Sequence, residues 1–231
     1  MEASAGPGTP PTTSVAIKPV IVVDAGHNGG NASDPDAVNR QVPAGRGATK
    51  PCNTTGTVTE SGYPEHAFTF DVARRVSDAL DAKGLRVVNT RADDTGVGPC
   101  VDERAAIGNE AEADAVVSIH ADGNIAEGAR GFHIAYSDPP LNPAQEGPAL
   151  ELADAMLAAM SSSGFAPAGY IGEGGLDGRA DLAGLNLSER PAILVECGNM
   201  RDAADAAVMT SPEGRQRYAD AIVAGIFGYL D

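Results

Sequence analysis

Five short, nearly unbroken apolar runs constrain this chain more than any other feature: Val20–Asp24 (VIVVD), Leu85–Asn89 (LRVVN), Ala115–His120 (AVVSIH), Gly131–Tyr136 (GFHIAY) and Ala192–Glu196 (AILVE). Each is too short for a core helix, and most lack a polar residue at alternate positions. That is the pattern of strands covered on both faces. Between the runs, apolar residues recur at helical spacing. Phe68, Val72, Val76, Ala79 and Leu80 form one set; Leu150, Ala153, Leu157 and Met160 another; Tyr218, Ile222, Ile226 and Tyr229 a third. Pro64 suits the first position of the first helix, where its missing N–H costs nothing, and "AKG" (Ala82–Gly84) supplies its stop. The alternation predicts a single α/β domain with a mostly parallel, twisted central sheet of about six strands and helices on both faces. Two polar, glycine-rich segments, Asn31–Thr59 and Ala166–Gly184, escape the alternation and read as long loops that form rims around a site.

Composition narrows the function. The formal net charge is −16, and no basic patch offsets it, so a nucleic-acid partner is not expected. No run approaches the roughly 18 apolar residues of a membrane span, so membrane insertion is not expected either. Residues 1–18 are rich in Pro, Ser, Thr and Gly and lack a signal-type apolar stretch; they read as a flexible lead-in to a domain over 19–231. The three cysteines form no CxxC pair, which argues against a cysteine zinc site. Cys52 and Cys100 lie in turn-rich segments and are expected to pair, leaving Cys197 buried and reduced; three free thiols is the alternative. A bridge would imply an oxidising compartment.

In a parallel sheet, ligands bind outside the carboxyl ends of the strands. Three polar residues stand at such ends: His27 after the first run, His120 closing "AVVSIH" and Glu196 closing "AILVE". A buried carboxylate needs a partner, so Glu196 is the hardest to read as merely structural. Glu65, in the first turn of the first helix, shares a face with Phe68, Thr69 and Val72. Its competitors are weaker: Glu60 precedes the helix, and His66 is rotated about 100° off the stripe. Two histidines, one carboxylate and a second carboxylate make the parts of metal-assisted hydrolysis, with a metal, a bound water and a general base. No HExxH is present. His133, within "GFHIAY", reads as a structural residue.

The blocks "VVDAGHNGG", "GYPEHAFTFDVARRV", "VVNTR", "ERAAIGNEAEADAVVSIHAD" and "LAGLNLSERPAILVECGNM" resemble, in order, those of the zinc-dependent N-acetylmuramoyl-L-alanine amidases of the Amidase_3 type, and most nearly the single-domain actinobacterial and mycobacterial members. The likeness covers Val20 to Leu230. It implies Zn²⁺ on His27, Glu65 and His120, Glu196 as the catalytic residue, peptidoglycan or a muropeptide as substrate, and a monomer in the periplasm, cell envelope or medium. The expected reaction cuts the amide between N-acetylmuramic acid and L-alanine; a zinc peptidase within the stem peptide is the alternative. The sequence departs from the family pattern at Ala25, for a frequent Pro, and at Asn28, for a frequent Gly, where the side chain is expected to narrow or polarise the zinc mouth. No room is seen between Ser137 and Ile171 for the blocking helix of regulated members.

Overall fold

The computed structural model describes residues 18–231, so all of the expected lead-in except Lys18 lies outside the described residues. In chain order the elements are β1 (Val20–Ala25), a 3₁₀ turn (Asn31–Ser33), α1 (Pro35–Asn39), β2 (Gln41–Gly45), β3 (Ala48–Pro51), α2 (Glu65–Ala82), β4 (Arg86–Asn89), α3 (Val101–Glu110), β5 (Ala115–Asp122), β6 (His133–Ser137), α4 (Pro143–Glu146), α5 (Pro148–Ser162), β7 (Leu176–Arg179), α6 (Ala183–Asn186), β8 (Ala192–Asn199), α7 (Ala203–Thr210) and α8 (Pro212–Leu230). The main sheet has six strands in the order β4-β1-β5-β8-β6-β7. β4, β1, β5 and β8 run parallel, and β6 pairs antiparallel to β8. From β1 the chain passes to β4 on one side and then back to β5 on the other. The carboxyl ends of β1 and β5 therefore flank a switch point, where a crevice opens.

The expected strands are all present, and the helical patterns at 68–80, 150–160 and 218–229 became α2, α5 and α8. These three helices cover one face. Phe68, Val72, Val76, Leu152, Met156, Tyr218 and Ile222 pack there against Ile21, Val23, Val117, Ile119, Ile193 and Val195. The other face carries Val22, Val116, Ala135 and Ala192, met by Leu185 from α6 and flanked by Ile107 of α3. Only short elements cover this second face, and they leave a groove in it.

Three readings need correction. Pro64 is the cap of α2, not its first residue: its backbone is extended, because the Glu65 N–H is tied to the Thr57 carbonyl at 3.0 Å. Asn31–Thr59 is not simply a loop, since α1 and the β2–β3 hairpin lie within it. Ala166–Gly184 contributes β7, the sixth strand. Both segments still reach the groove, as Lys50, Thr54 and Thr57 from the first and Leu182 and Gly184 from the second line it.

Cys52 and Cys100 are joined, at an S–S distance of 2.08 Å and a sequence separation of 48, and Cys197 is free and buried. The bridge fixes the chain just after β3 to the start of α3, over Val42 and Val101. Closing a loop of this size stabilises by on the order of 4 kcal/mol in the chain-entropy model, as an upper figure. Unfolded, non-reduced protein is expected to show one reactive thiol, mapped to Cys197; three would exclude the bridge.

Candidate metal centre

Each candidate ligand has a local reason for its position. His27 sits in the turn after β1 in the left-handed region, at φ 59°. Two buried arginines hold that turn by its carbonyls. Arg104 donates from Nη1 to Ala25 O (2.6 Å) and from Nη2 to His27 O (2.8 Å). Arg91 donates from Nε to Ala25 O (3.0 Å) and from Nη2 to His66 O (2.8 Å), tying the same turn to α2. Asp24 anchors Arg104 at 2.5 Å and also accepts from Thr90 (2.6 Å) and Ser118 (2.5 Å). Burial alone would raise the Asp24 carboxyl, but Arg104 and the two hydroxyls outweigh it and bring it down to about 2.

Glu65 is 4% exposed at the start of α2, aimed at the carboxyl ends of β1 and β5. Its Oε2 accepts from Thr57 N (2.9 Å) and its Oε1 from Ala121 N (3.1 Å). His27 Nε2 lies 3.1 Å and His120 Nδ1 3.0 Å from the same Oε1. The two rings stand edge to face with centroids 4.9 Å apart. Despite burial, the neighbouring imidazoles hold the Glu65 carboxyl far below its ordinary value; burial would lower the His27 imidazole, but Glu65 raises it.

His27 Nδ1 is 3.0 Å from the Thr54 carbonyl and 3.2 Å from the Thr54 hydroxyl; with its proton on Nδ1 the ring donates to the carbonyl, which can only accept. A neutral His27 would then turn its Nε2 lone pair on a carboxylate oxygen. The arrangement calls for a cation, either a second proton on the ring or a metal ion. The ligand atoms of His27, Glu65 and His120 all lie within 4.8 Å of one another, the one such group among the described residues. Two imidazole nitrogens and one carboxylate oxygen fit zinc, and an all-oxygen shell for Mg²⁺ or Ca²⁺ is not offered.

Gly26 is required by this packing. A Cβ there would overlap the His120 imidazole. Gly56, at φ +76°, leaves room for Glu65 Oε2 and the His27 ring. Gly26→Ala is expected to fold but to push His120 aside and weaken metal affinity by about 10–100-fold, comparable to loss of a ligand-orienting contact. A competitive chelator titration measures this.

Glu196 stands in β8 directly opposite His120 in the parallel ladder. It does not end its strand as expected: β8 continues to Asn199 past a register shift between His120 and Asp122. Its Oε2 is sealed from solvent and has no partner among the described residues. Burial, together with the charges of Glu65 and Asp122, raises its carboxyl well above the ordinary value. Glu196, His27, Glu65 and His120 line one groove of about 410 Å³, with Val116, Leu182, Leu185 and Leu194 as apolar wall.

The competitors fall outside the cluster. His66 pairs with Asp94 at 2.8 Å, and Glu60 is exposed. Asn28 does not polarise the mouth. It is buried and donates from Nδ2 to Gly98 O (2.8 Å), because the Asp93–Gly98 loop packs against the His27 turn. The arginine clamp was not found by sequence reasoning. Asp24, a carboxylate closing an apolar run, was the available signal for a buried cation. No spacing rule points from it to Arg104, however.

The Amidase_3 model, described as N-acetylmuramoyl-L-alanine amidase, matches residues 21–227. The chain is 52% identical over 211 residues to N-acetylmuramoyl-L-alanine amidase Rv3717 of Mycobacterium tuberculosis, covering 91% of this chain and 86% of that one. The crystal structure of the N-acetylmuramyl-L-alanine amidase Ami1 from Mycobacterium smegmatis superposes with a TM-score of 0.89 at 54% identity, over 92% of this chain and 96% of that one. An N-acetylmuramoyl-L-alanine amidase from Clostridium difficile 630 shares the fold, with a TM-score of 0.71 at 23% identity, over 93% of this chain and 97% of that one.

Proposed function

Because this chain belongs to the N-acetylmuramoyl-L-alanine amidase family, we propose that it hydrolyses the amide between N-acetylmuramic acid and L-alanine in bacterial peptidoglycan, with zinc on His27, Glu65 and His120 and with Glu196 moving the proton. The observation that carries the metal reading is the convergence of two imidazole nitrogens on one oxygen of Glu65. When bound, zinc supplies Lewis acidity toward the scissile carbonyl and lowers the pKa of a coordinated water.

The chain's own groups do the rest. Thr54 fixes the His27 tautomer, and the Thr57 and Ala121 N–H groups orient the Glu65 carboxylate. Arg104 and Arg91 keep the His27 turn at its place beside β5. Glu196 Oε1, the oxygen that is not sealed, takes the proton from the attacking water and returns it to the departing amide nitrogen. The groove beside it receives the substrate. The disulfide supports work in an oxidising compartment outside the cytoplasm, where the wall polymer lies. No helix among the described residues is long and apolar enough to cross a membrane.

Mass spectrometry of digested peptidoglycan tests the reaction. Peptides beginning with L-alanine and glycans with a free lactyl carboxylate are expected; shortened stem peptides on intact lactyl amides would point to a peptidase. His120→Ala tests the ligand set by metal analysis, and is expected to lose both bound zinc and activity. One tightly held zinc per chain in that variant would overturn the assignment.

A further inference from the structure

β6 enters the sheet antiparallel to β8, which brings its first residue, His133, directly opposite Glu196. Directly opposed residues point to the same face, with β-carbons about 5 Å apart. His120 flanks Glu196 on the other side. Three strands thus present His120, Glu196 and His133 in one row across the grooved face. His133 is 2% exposed. Its Nδ1 is sealed from solvent without a partner among the described residues, and so is Glu196 Oε2. Sealed polar atoms are seldom left orphaned, and here two of them belong to facing residues of one ladder.

The surroundings hold the His133 ring in place. Tyr170 stands edge-on to it, with centroids 6.2 Å apart and planes at 87°, and donates its hydroxyl to Asp122 Oδ2 at 2.7 Å. Burial pushes the imidazole below its ordinary value, so the ring is neutral and offers one N–H and one lone pair.

We infer that His133 is a positioning residue for Glu196: a turn of the Glu196 carboxylate lets Nδ1 of His133 donate directly to Oε2, and Oε1 is left for the reaction. The two orphan atoms belong to directly opposed residues, and each is the partner the other lacks. One carboxylate oxygen is then fixed to the sheet while the other works in the groove. The inference rests on the reading of Glu196 given above.

The test uses the zinc-loaded protein. The chain has four histidines, so their ring nitrogens can be assigned by single substitutions in ¹⁵N-correlated NMR. In Glu196→Gln the His133 Nδ1 resonance is expected to move, while His66, tied to Asp94, stays put. His133→Asn, whose amide reaches the place of Nδ1, should keep kcat within a few-fold of the parent. His133→Phe, with a ring but no nitrogen, should lose about 10²-fold in kcat at unchanged KM and unchanged zinc content, the scale for a misplaced catalytic group. An unmoved His133 signal, or a Phe variant as fast as the parent, would overturn the inference; if the Phe variant does not fold, the NMR result decides. An active Glu196→Gln would instead bring down the reading of Glu196. A dead Glu196→Gln beside a fully active His133→Phe would bring down only His133.

Discussion

Glu196→Gln is expected to hydrolyse peptidoglycan about 10²–10⁴-fold more slowly while keeping its zinc, the range for losing general acid–base help. Gln has the shape of Glu but cannot take a proton. Glu196 sits opposite His120, outside the group of atoms that converge on Glu65 Oε1, so its loss should leave the donor set intact. The acid limb of the kcat/KM profile should vanish in the variant, because that limb reports ionisation of the base. Metal analysis and pH–rate profiles on the same preparation check both statements. Loss of zinc would move Glu196 into the ligand set and make Glu65 the candidate base.

Arg104→Leu is expected to cost about 3–5 kcal/mol of folding stability, the scale for stranding one member of a buried ion pair. The variant leaves Asp24 charged and 7% exposed, and it strips donors from the carbonyls of Ala25, His27 and Pro99. Denaturant unfolding measures the loss. Adding Asp24→Asn should restore part of it, because the stranded charge is then gone. The same pair governs acid stability. Asp24 titrates near 3.8 when unfolded and at about 2 when folded. A depressed carboxyl stabilises the fold fully above its unfolded value and loses that contribution as pH falls through the folded one. Between about pH 4 and 2 the parent should therefore lose about 2 kcal/mol that Asp24→Asn does not lose. Parallel acid titrations of the two proteins would sink this account.

The two arginines also explain how a small fold keeps a histidine at φ 59° beside a sheet. Positive φ is uncommon away from glycine. Here the carbonyls on either side of Gly26, and that of His27 itself, are each held by a guanidinium. The same groups that stabilise the fold thus set the direction of His27, so if His27 holds zinc as proposed, changes at Arg104 should reach metal affinity as well as stability.

What the sequence determined by itself was what local period can encode. Unbroken apolar runs specified β1, β4, β5 and β8, and helical spacing specified α2, α5 and α8. The same spacing turned Glu65 inward with Phe68 and Thr69, and the polar residues at the run ends marked His27, His120 and Glu196 for one crevice. The tertiary structure decided what depends on contacts between distant segments. The direction of β6 is invisible in its residues, because a strand has the same side-chain period whichever way it runs. That direction puts His133, read as merely structural, opposite Glu196. The β2–β3 hairpin and β7 are short and polar, and only pairing with a neighbouring strand makes them strands. Arg104 meets Asp24 across a sequence separation of 80, a distance no periodicity spans.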